Sequence, residues 1–240
     1  MSGKNGGIPQ IYNIIDGCDC HSSSGEWFHI LKAGSDKTVL RAAPSSTMKD
    51  VEAANIVLAR TLGLPLEKVL KTFWTMIVEE INGGKAVLAD AAADESSLDK
   101  NAILAELDKI KSLPTSWGYK LNNSGVYSPA NKDGNLKIIS VGGSFEIKPM
   151  FFSTIMFSVL YELLNRSAVI LLSSRANVFC YYFGKMISNA AKNADLPAGI
   201  FGLIHAKDGK LADEVLEKIV GGKLYKAGNG IVVPRKKRRD

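Results

Sequence analysis

Short apolar runs alternate with longer segments of helical periodicity through the second half of the chain. The central run, AVILL at residues 168–172, has no polar position, which is typical of a strand buried on both faces of a parallel sheet. The spacing predicts further strands at residues 136–141, 200–204 and 223–226, and helices at 149–164, 177–193 and 210–220. This alternation predicts an α/β fold, with a Rossmann-like parallel sheet flanked by helices.

The first half of the chain has a different pattern. Two strands around the Ser-rich turn at residues 22–25 predict an N-terminal β-hairpin, and residues 39–42 predict a third strand. Thr47 followed by Asp50 is typical of a helix start. The apolar spacing then predicts a helix that follows this start, with a buried face running from Val51 to Leu62 and an end at Gly63. Further helices are predicted at residues 66–81 and 97–111, the first of these ended by the Gly83–Gly84 pair.

Length and charge limit the classes of function. The chain has 240 residues and 46% hydrophobic residues, enough for a sizeable core. Residues 235–240 hold five of the 30 basic and one of the 24 acidic residues, which leaves a net charge of +2 for the rest. A nearly neutral body argues against a nucleic-acid-binding face on the folded part. The sequence therefore predicts a globular unit at residues 1–229, loop-rich at about 118–137, and a basic tail at 230–240.

Cysteine and histidine give no sign of a metal or catalytic cluster. Cys18 and Cys20 lie in the predicted surface hairpin, and Cys180 lies within an aromatic helix that predicts a buried, inert thiol. The three histidines are widely separated. We expect an intracellular protein, because the first residues lack the apolar core of a signal peptide, with the cytoplasm favoured over the nucleus or mitochondrion. The apolar stretch at residues 149–172 contains Glu162 and Arg166, so it predicts buried core and no membrane contact.

An ordered series of phrases carries a family resemblance. The chain reads YNIIDGCDCHSSSGEWFHIL, then LRAAPSST leading into a helix, then ISVGGSFEI, NRSAVILLSSR and NADLPAGIFGLI, each of the last three separated by a helix. This order resembles the N-terminal, cofactor-domain half of the aldehyde dehydrogenase superfamily, although the individual motifs are degenerate. The resemblance implies NAD or NADP as the cofactor and an association surface for homo-oligomers or other protein partners.

The resemblance also identifies positions where family function should reside. Ser144 aligns with the oxyanion-hole Asn, Leu172 with the ribose-binding Lys, and Arg175 with the Glu that follows it beyond Ser174. Gly228 and Asn229 align with the phosphate turn. These departures predict that no cofactor binds. The nucleophilic Cys and general-base Glu of the family lie in its second half, so we expect no catalytic residue here.

Three functions follow from these observations. The first is a non-catalytic aldehyde dehydrogenase-like protein that serves as a structural or interaction subunit of a larger assembly. The second is a truncated or split NAD(P)-dependent aldehyde dehydrogenase. The third is a nucleic-acid-associated component that uses the phosphate-reaching tail residues Arg235, Lys236, Lys237, Arg238 and Arg239.

Overall fold

The computed structural model describes residues 7–61, 67–112, 135–142, 147–164, 167–219, 224–227 and 231–234. The strands within these ranges are β1 (Asn13–Ile15), β2 (Cys18–Cys20), β3 (Trp27–Leu31), β4 (Val39–Pro44), β5 (Asn135–Val141), β6 (Ser167–Ser173), β7 (Phe201–His205), β8 (Leu224–Ala227) and β9 (Ile231–Pro234). Its α-helices are α1 (Met48–Ala59), α2 (Glu67–Ser96), α3 (Lys100–Asp108), α4 (Pro149–Leu164), α5 (Asn177–Asn193) and α6 (Lys210–Ile219). Short 3-10 turns follow at Lys109–Ser112 and Ala198–Ile200.

A seven-stranded mixed sheet forms the centre of the fold, in the order β2-β1-β7-β6-β5-β9-β8. The three middle strands, β5, β6 and β7, run parallel to one another, and β1 and β9 add to them antiparallel. Every residue of β6 is buried, as the unbroken apolar run predicts. The predicted α/β class and parallel core are confirmed, and an N-terminal hairpin is present, formed by β1 and β2.

The hairpin turn lies earlier than the sequence predicted. β1 pairs with β2 across Asp16 and Gly17, which have φ angles of 54° and 72°. A two-residue turn with both residues in the left-handed region matches the right-handed twist of the strands, and Asp-Gly suits it. The prediction that the strands on either side of residues 22–25 form one hairpin is therefore wrong, since β3 pairs with β4 in a separate two-stranded sheet.

The first helix begins where the sequence predicts. The backbone N–H of Thr47 donates to Asp50 Oδ2 at 2.7 Å, so the acid of the predicted helix start does satisfy a free amide of the first turn. α4 and α5 also have the predicted bounds.

The prediction that Gly83 and Gly84 end the second helix is wrong. α2 continues through both glycines to Ser96, for 30 residues in all. A Cβ placed on Gly84 would collide with the Cε of Met186 on α5. Gly84 therefore serves close packing between two helices, and that packing offsets the helix propensity that glycine costs, roughly 1 kcal/mol.

Two hydrophobic clusters cover the two faces of the sheet. The larger takes the inward side chains of Val169 and Leu171 on β6 together with α2, α3, α4 and α5. The smaller takes the alternate positions Ala168, Ile170 and Leu172, together with α1 and α6. Because side chains alternate along a strand, each face of β6 supplies one cluster.

Within the described ranges, no helix is both long enough and apolar enough to cross a membrane.

Candidate functional site

The candidate site is the edge of the sheet where the parallel strands end, since ligands of open α/β sheets bind outside the carboxyl ends of the strands. The last two positions of β6 each lie between a residue of β5 and a residue of β7. Leu172 of β6 lies beside Ser140 and Ile204, and Ser173 lies beside Val141 and His205. The sequence-predicted position Leu172 is therefore one residue from the end of the central strand.

Leu172 points into the smaller hydrophobic cluster. Its side chain is 1% exposed, and the cluster around it includes Ile204 on β7 and Leu211 and Val215 on α6. Complete burial of a leucine contributes roughly 2 kcal/mol to folding. Position 172 thus contributes to the core, and a charged side chain placed there would have to leave water.

Ser174 closes the turn after β6 against the end of β5. Its backbone N–H and its hydroxyl both donate to the carbonyl of Val141, at 2.9 and 3.1 Å. A Cβ on Gly142 would lie 2.5 Å from Ser174 Oγ, so the glycine makes room for this contact. Arg175 follows half-buried, and its carbonyl accepts a hydrogen bond from Ser173 Oγ at 2.8 Å. The polar groups of this turn are therefore engaged with the protein itself.

The N-terminus of α5 is occupied by a carboxylate from the end of α2. Glu95 Oε1 accepts the backbone N–H of Val178 at 3.1 Å, and Oε2 accepts that of Phe179 at 3.0 Å. Burial raises the pKa of this carboxyl from 4.5 to about 7, against the stabilising effect of the backbone donors and with a smaller contribution from Asp94. Helix N-termini at this edge of a sheet can hold phosphate groups. Here a carboxyl group of the chain itself accepts hydrogen bonds from these amides.

A buried polar network lies behind this turn. His205 Nδ1 lies 2.8 Å from Asn177 Oδ1, and the backbone N–H of His205 donates to Asn13 Oδ1 at 2.8 Å. Asn13 in turn exchanges hydrogen bonds with Ser46 at 2.9 and 3.1 Å. Burial lowers the pKa of His205 to about 3, so the imidazole is neutral at physiological pH. The network ties β1, β7 and α5 together and holds no acid that could pair with the histidine.

The predicted state of the cysteines is confirmed. Cys180 is fully buried in α5, and burial raises the pKa of its thiol to about 12. A thiol with that pKa is protonated at pH 7 and is a poor nucleophile. Cys18 is exposed and Cys20 half-buried in the hairpin. Across the parts of the chain that the structure describes, no group of three or more His, Cys, Asp or Glu side chains could hold a metal ion.

Several predicted positions lie outside the described residues. These are Ser144, Gly228 and Asn229, and the tail residues Arg235, Lys236, Lys237, Arg238 and Arg239. Residues 231–234, directly before that tail, form β9 and pair with β5 and β8.

Sequence reasoning missed Glu95, Asn13 and Asn177. Glu95 caps a helix whose first residues lie 83 positions away, and no local pattern marks such a contact. Asn13 and Asn177 offered a weak signal, because a polar residue flanked by apolar ones at a strand start or helix start often has a buried partner.

Comparisons with solved structures show the same architecture. The fold is similar to an NAD-dependent aldehyde dehydrogenase from Sinorhizobium meliloti, with a TM-score of 0.66, 13% identity, and coverage of 88% of this chain and 43% of that one. It is also similar to an aldehyde dehydrogenase from Bartonella henselae, with a TM-score of 0.70, 16% identity, and coverage of 88% and 46%. A lactaldehyde dehydrogenase gives a TM-score of 0.71 at 14% identity, with coverage of 88% and 46%.

These likenesses confirm the aldehyde dehydrogenase-like fold, and they agree with the predicted match to an N-terminal half. The chain spans less than half the length of the solved chains that it matches. No protein-family model and no curated protein matches the chain.

Proposed function

We propose that this chain is a non-catalytic aldehyde dehydrogenase-like protein that acts as a structural or interaction subunit inside the cell. The observation that carries the proposal is Leu172, which is 1% exposed within the smaller hydrophobic cluster at the position that the resemblance assigns to a ribose-binding lysine. An apolar core side chain can neither donate a hydrogen bond to a ribose hydroxyl nor reach one.

Two neighbouring contacts support the same conclusion. Ser174 donates its hydroxyl to Val141, and Glu95 takes two free amides of α5. A cofactor phosphate approaching those amides would meet a carboxylate and would have to displace it. These two amides are therefore not free to bind a phosphate.

An open sheet edge supports the role as a subunit. β2 lies at one end of the seven-strand order and pairs only with β1 within the described part of the chain. An edge strand presents unpaired backbone groups and can accept a strand from another chain. We therefore propose a protein partner or a second copy of this chain at this edge.

Sedimentation velocity tests the subunit role over a range of protein concentrations, with and without NAD and NADP. The proposal expects an assembly whose mass does not respond to either cofactor. A monomer at every concentration, together with saturable cofactor binding, would contradict it.

A split or truncated NAD(P)-dependent aldehyde dehydrogenase is the second candidate. It rests on the shared fold and on the extent of the match, which covers 43% and 46% of two of the solved dehydrogenases. Its test is NAD(P)H formation from an aldehyde when a separate chain that carries the nucleophilic Cys and the base Glu is added.

Nucleic-acid association through residues 235–239 is the third candidate, and the five consecutive basic residues favour it. Its test is salt-dependent binding that disappears when residues 235–240 are deleted.

A further inference from the structure

A groove of about 500 Å³ lies at the ends of α1 and α6, and its lining residues Met48 and Leu211 belong to the same hydrophobic cluster as Leu172. Its walls come from the Ser-rich turn after β2, the segment that leads into α1 and the loop between β7 and α6. That volume suits a small molecule larger than a single inorganic ion.

Three lysines line this groove. Lys49, Lys207 and Lys210 are all exposed, and none forms an ion pair with another residue in the described ranges. The two carboxylates of the groove are already engaged. Glu214 pairs with Lys218 at 2.9 Å, and Asp208 Oδ1 accepts the backbone N–H of Lys210 at 2.9 Å. Positive charge is therefore in excess at this surface.

The opposite wall is polar and held in place. Ser23 and Thr47 line the groove, and their hydroxyl oxygens lie 2.9 Å apart. The turn that carries Ser23 is fixed by Asp50, which is 5% exposed and accepts the hydroxyl of Ser22 at 2.9 Å and the backbone N–H of Ser23 at 2.7 Å. A buried carboxylate with all these hydrogen bonds holds the turn in one geometry. The hydroxyl of Ser23 is therefore already positioned, and a ligand does not have to order it on binding.

We propose that this groove binds a phosphate-bearing small molecule, with Lys49, Lys207 and Lys210 facing the phosphate groups and the hydroxyls of Ser23 and Thr47 hydrogen-bonding to their oxygens. Ammonium groups are strong donors to phosphate, and hydroxyls can add neutral hydrogen bonds at the same oxygen atoms. The site requires neither a nicotinamide cofactor nor catalysis, so it does not depend on the function proposed above.

The test is isothermal titration of the full chain with inorganic pyrophosphate at fixed ionic strength. The informative variant is Lys207→Gln with Lys210→Gln. Its matched control is Lys37→Gln with Lys71→Gln, which removes the same charge from two exposed lysines elsewhere. A second control neutralises two tail residues, Arg238→Gln with Arg239→Gln, because the tail is the other basic segment.

We expect saturable binding that weakens by about tenfold or more in the groove variant, equivalent to about 1.4 kcal/mol. The two control variants should bind within about twofold of the unaltered chain. Absence of saturable binding up to millimolar pyrophosphate would overturn the proposal, as would an equal loss in either control. Thermal unfolding of each variant, without ligand, verifies that all of them are folded.

Discussion

Replacing Leu172 by lysine tests whether position 172 is a core position or a ligand position. The substitution removes an apolar side chain that is 1% exposed, which costs roughly 2 kcal/mol of folding free energy. It also places an ammonium group among Ile204, Leu211 and Val215. If burial lowers the lysine pKa by about 3 units, a further 4 kcal/mol or so is lost at neutral pH. The long side chain relieves part of that cost by extending toward water at the strand end.

We therefore expect Leu172→Lys to lower the free energy of unfolding by about 4 kcal/mol. Urea unfolding followed by tryptophan fluorescence measures this change, and an unchanged slope would show that the extent of unfolding is the same. Leu172→Met is the matched control, because it keeps the volume and polarity and should cost less than about 1.5 kcal/mol. We also expect that Leu172→Lys does not restore NAD binding, since Ser144 and the phosphate turn at Gly228 and Asn229 also depart from the family. A loss below about 1 kcal/mol, or micromolar binding of NAD by this variant, would refute the reasoning.

Three further predictions concern other parts of the fold. The pKa of Glu95 is raised from 4.5 to about 7, so between these pH values the folded chain binds more protons than the unfolded chain, and the free energy of unfolding should fall as pH rises from about 5 to 7. Urea unfolding at several pH values should show a smaller dependence of this free energy on pH in Glu95→Gln. An unchanged pH dependence would exclude Glu95 as its source. A Cβ added at Gly184 would lie 2.9 Å from Ile14 Cδ1, whereas a Cβ added at Gly83 would have no atom within 4 Å. Gly184→Ala should therefore lower the melting temperature and Gly83→Ala should raise it. The opposite order would contradict the close packing of α5 at Gly184. Iodoacetamide should modify the folded chain at Cys18 and Cys20 and leave Cys180 intact, as peptide mass spectrometry would show; early labelling of Cys180 would contradict its burial.

Local pattern predicted much of the fold. The bounds of α4 and α5 follow from long runs of helical periodicity with clear flanks, and β6 follows from an unbroken apolar run. The hairpin turn at Asp16–Gly17 was also readable, because this dipeptide suits a two-residue turn, but the Ser-rich turn beyond it carried the stronger composition signal.

The failures have a different physical origin. Gly83 and Gly84 look like a helix end because the sequence does not show Met186 packed across from Gly84. In the same way, the capping of α5 by Glu95 and the network of His205 with Asn13 join segments far apart in the chain. Such contacts depend on how the elements pack, which local propensity does not determine. The resemblance identified Leu172 as a position of interest, and the structure adds that its side chain is part of the core.

Titration of the purified chain with NAD and NADP tests the central claim most directly. Thermal shift, or fluorescence from Trp27, Trp74 and Trp117, would report binding. A ligand that binds only the folded state stabilises it by about 2.7 kcal/mol at 100 times its dissociation constant, which is readily detected. The account predicts no shift up to millimolar concentrations of either cofactor. A clear saturable shift would contradict it, because it would mean that the pocket works despite Leu172 and Glu95, and the split dehydrogenase would become the better description.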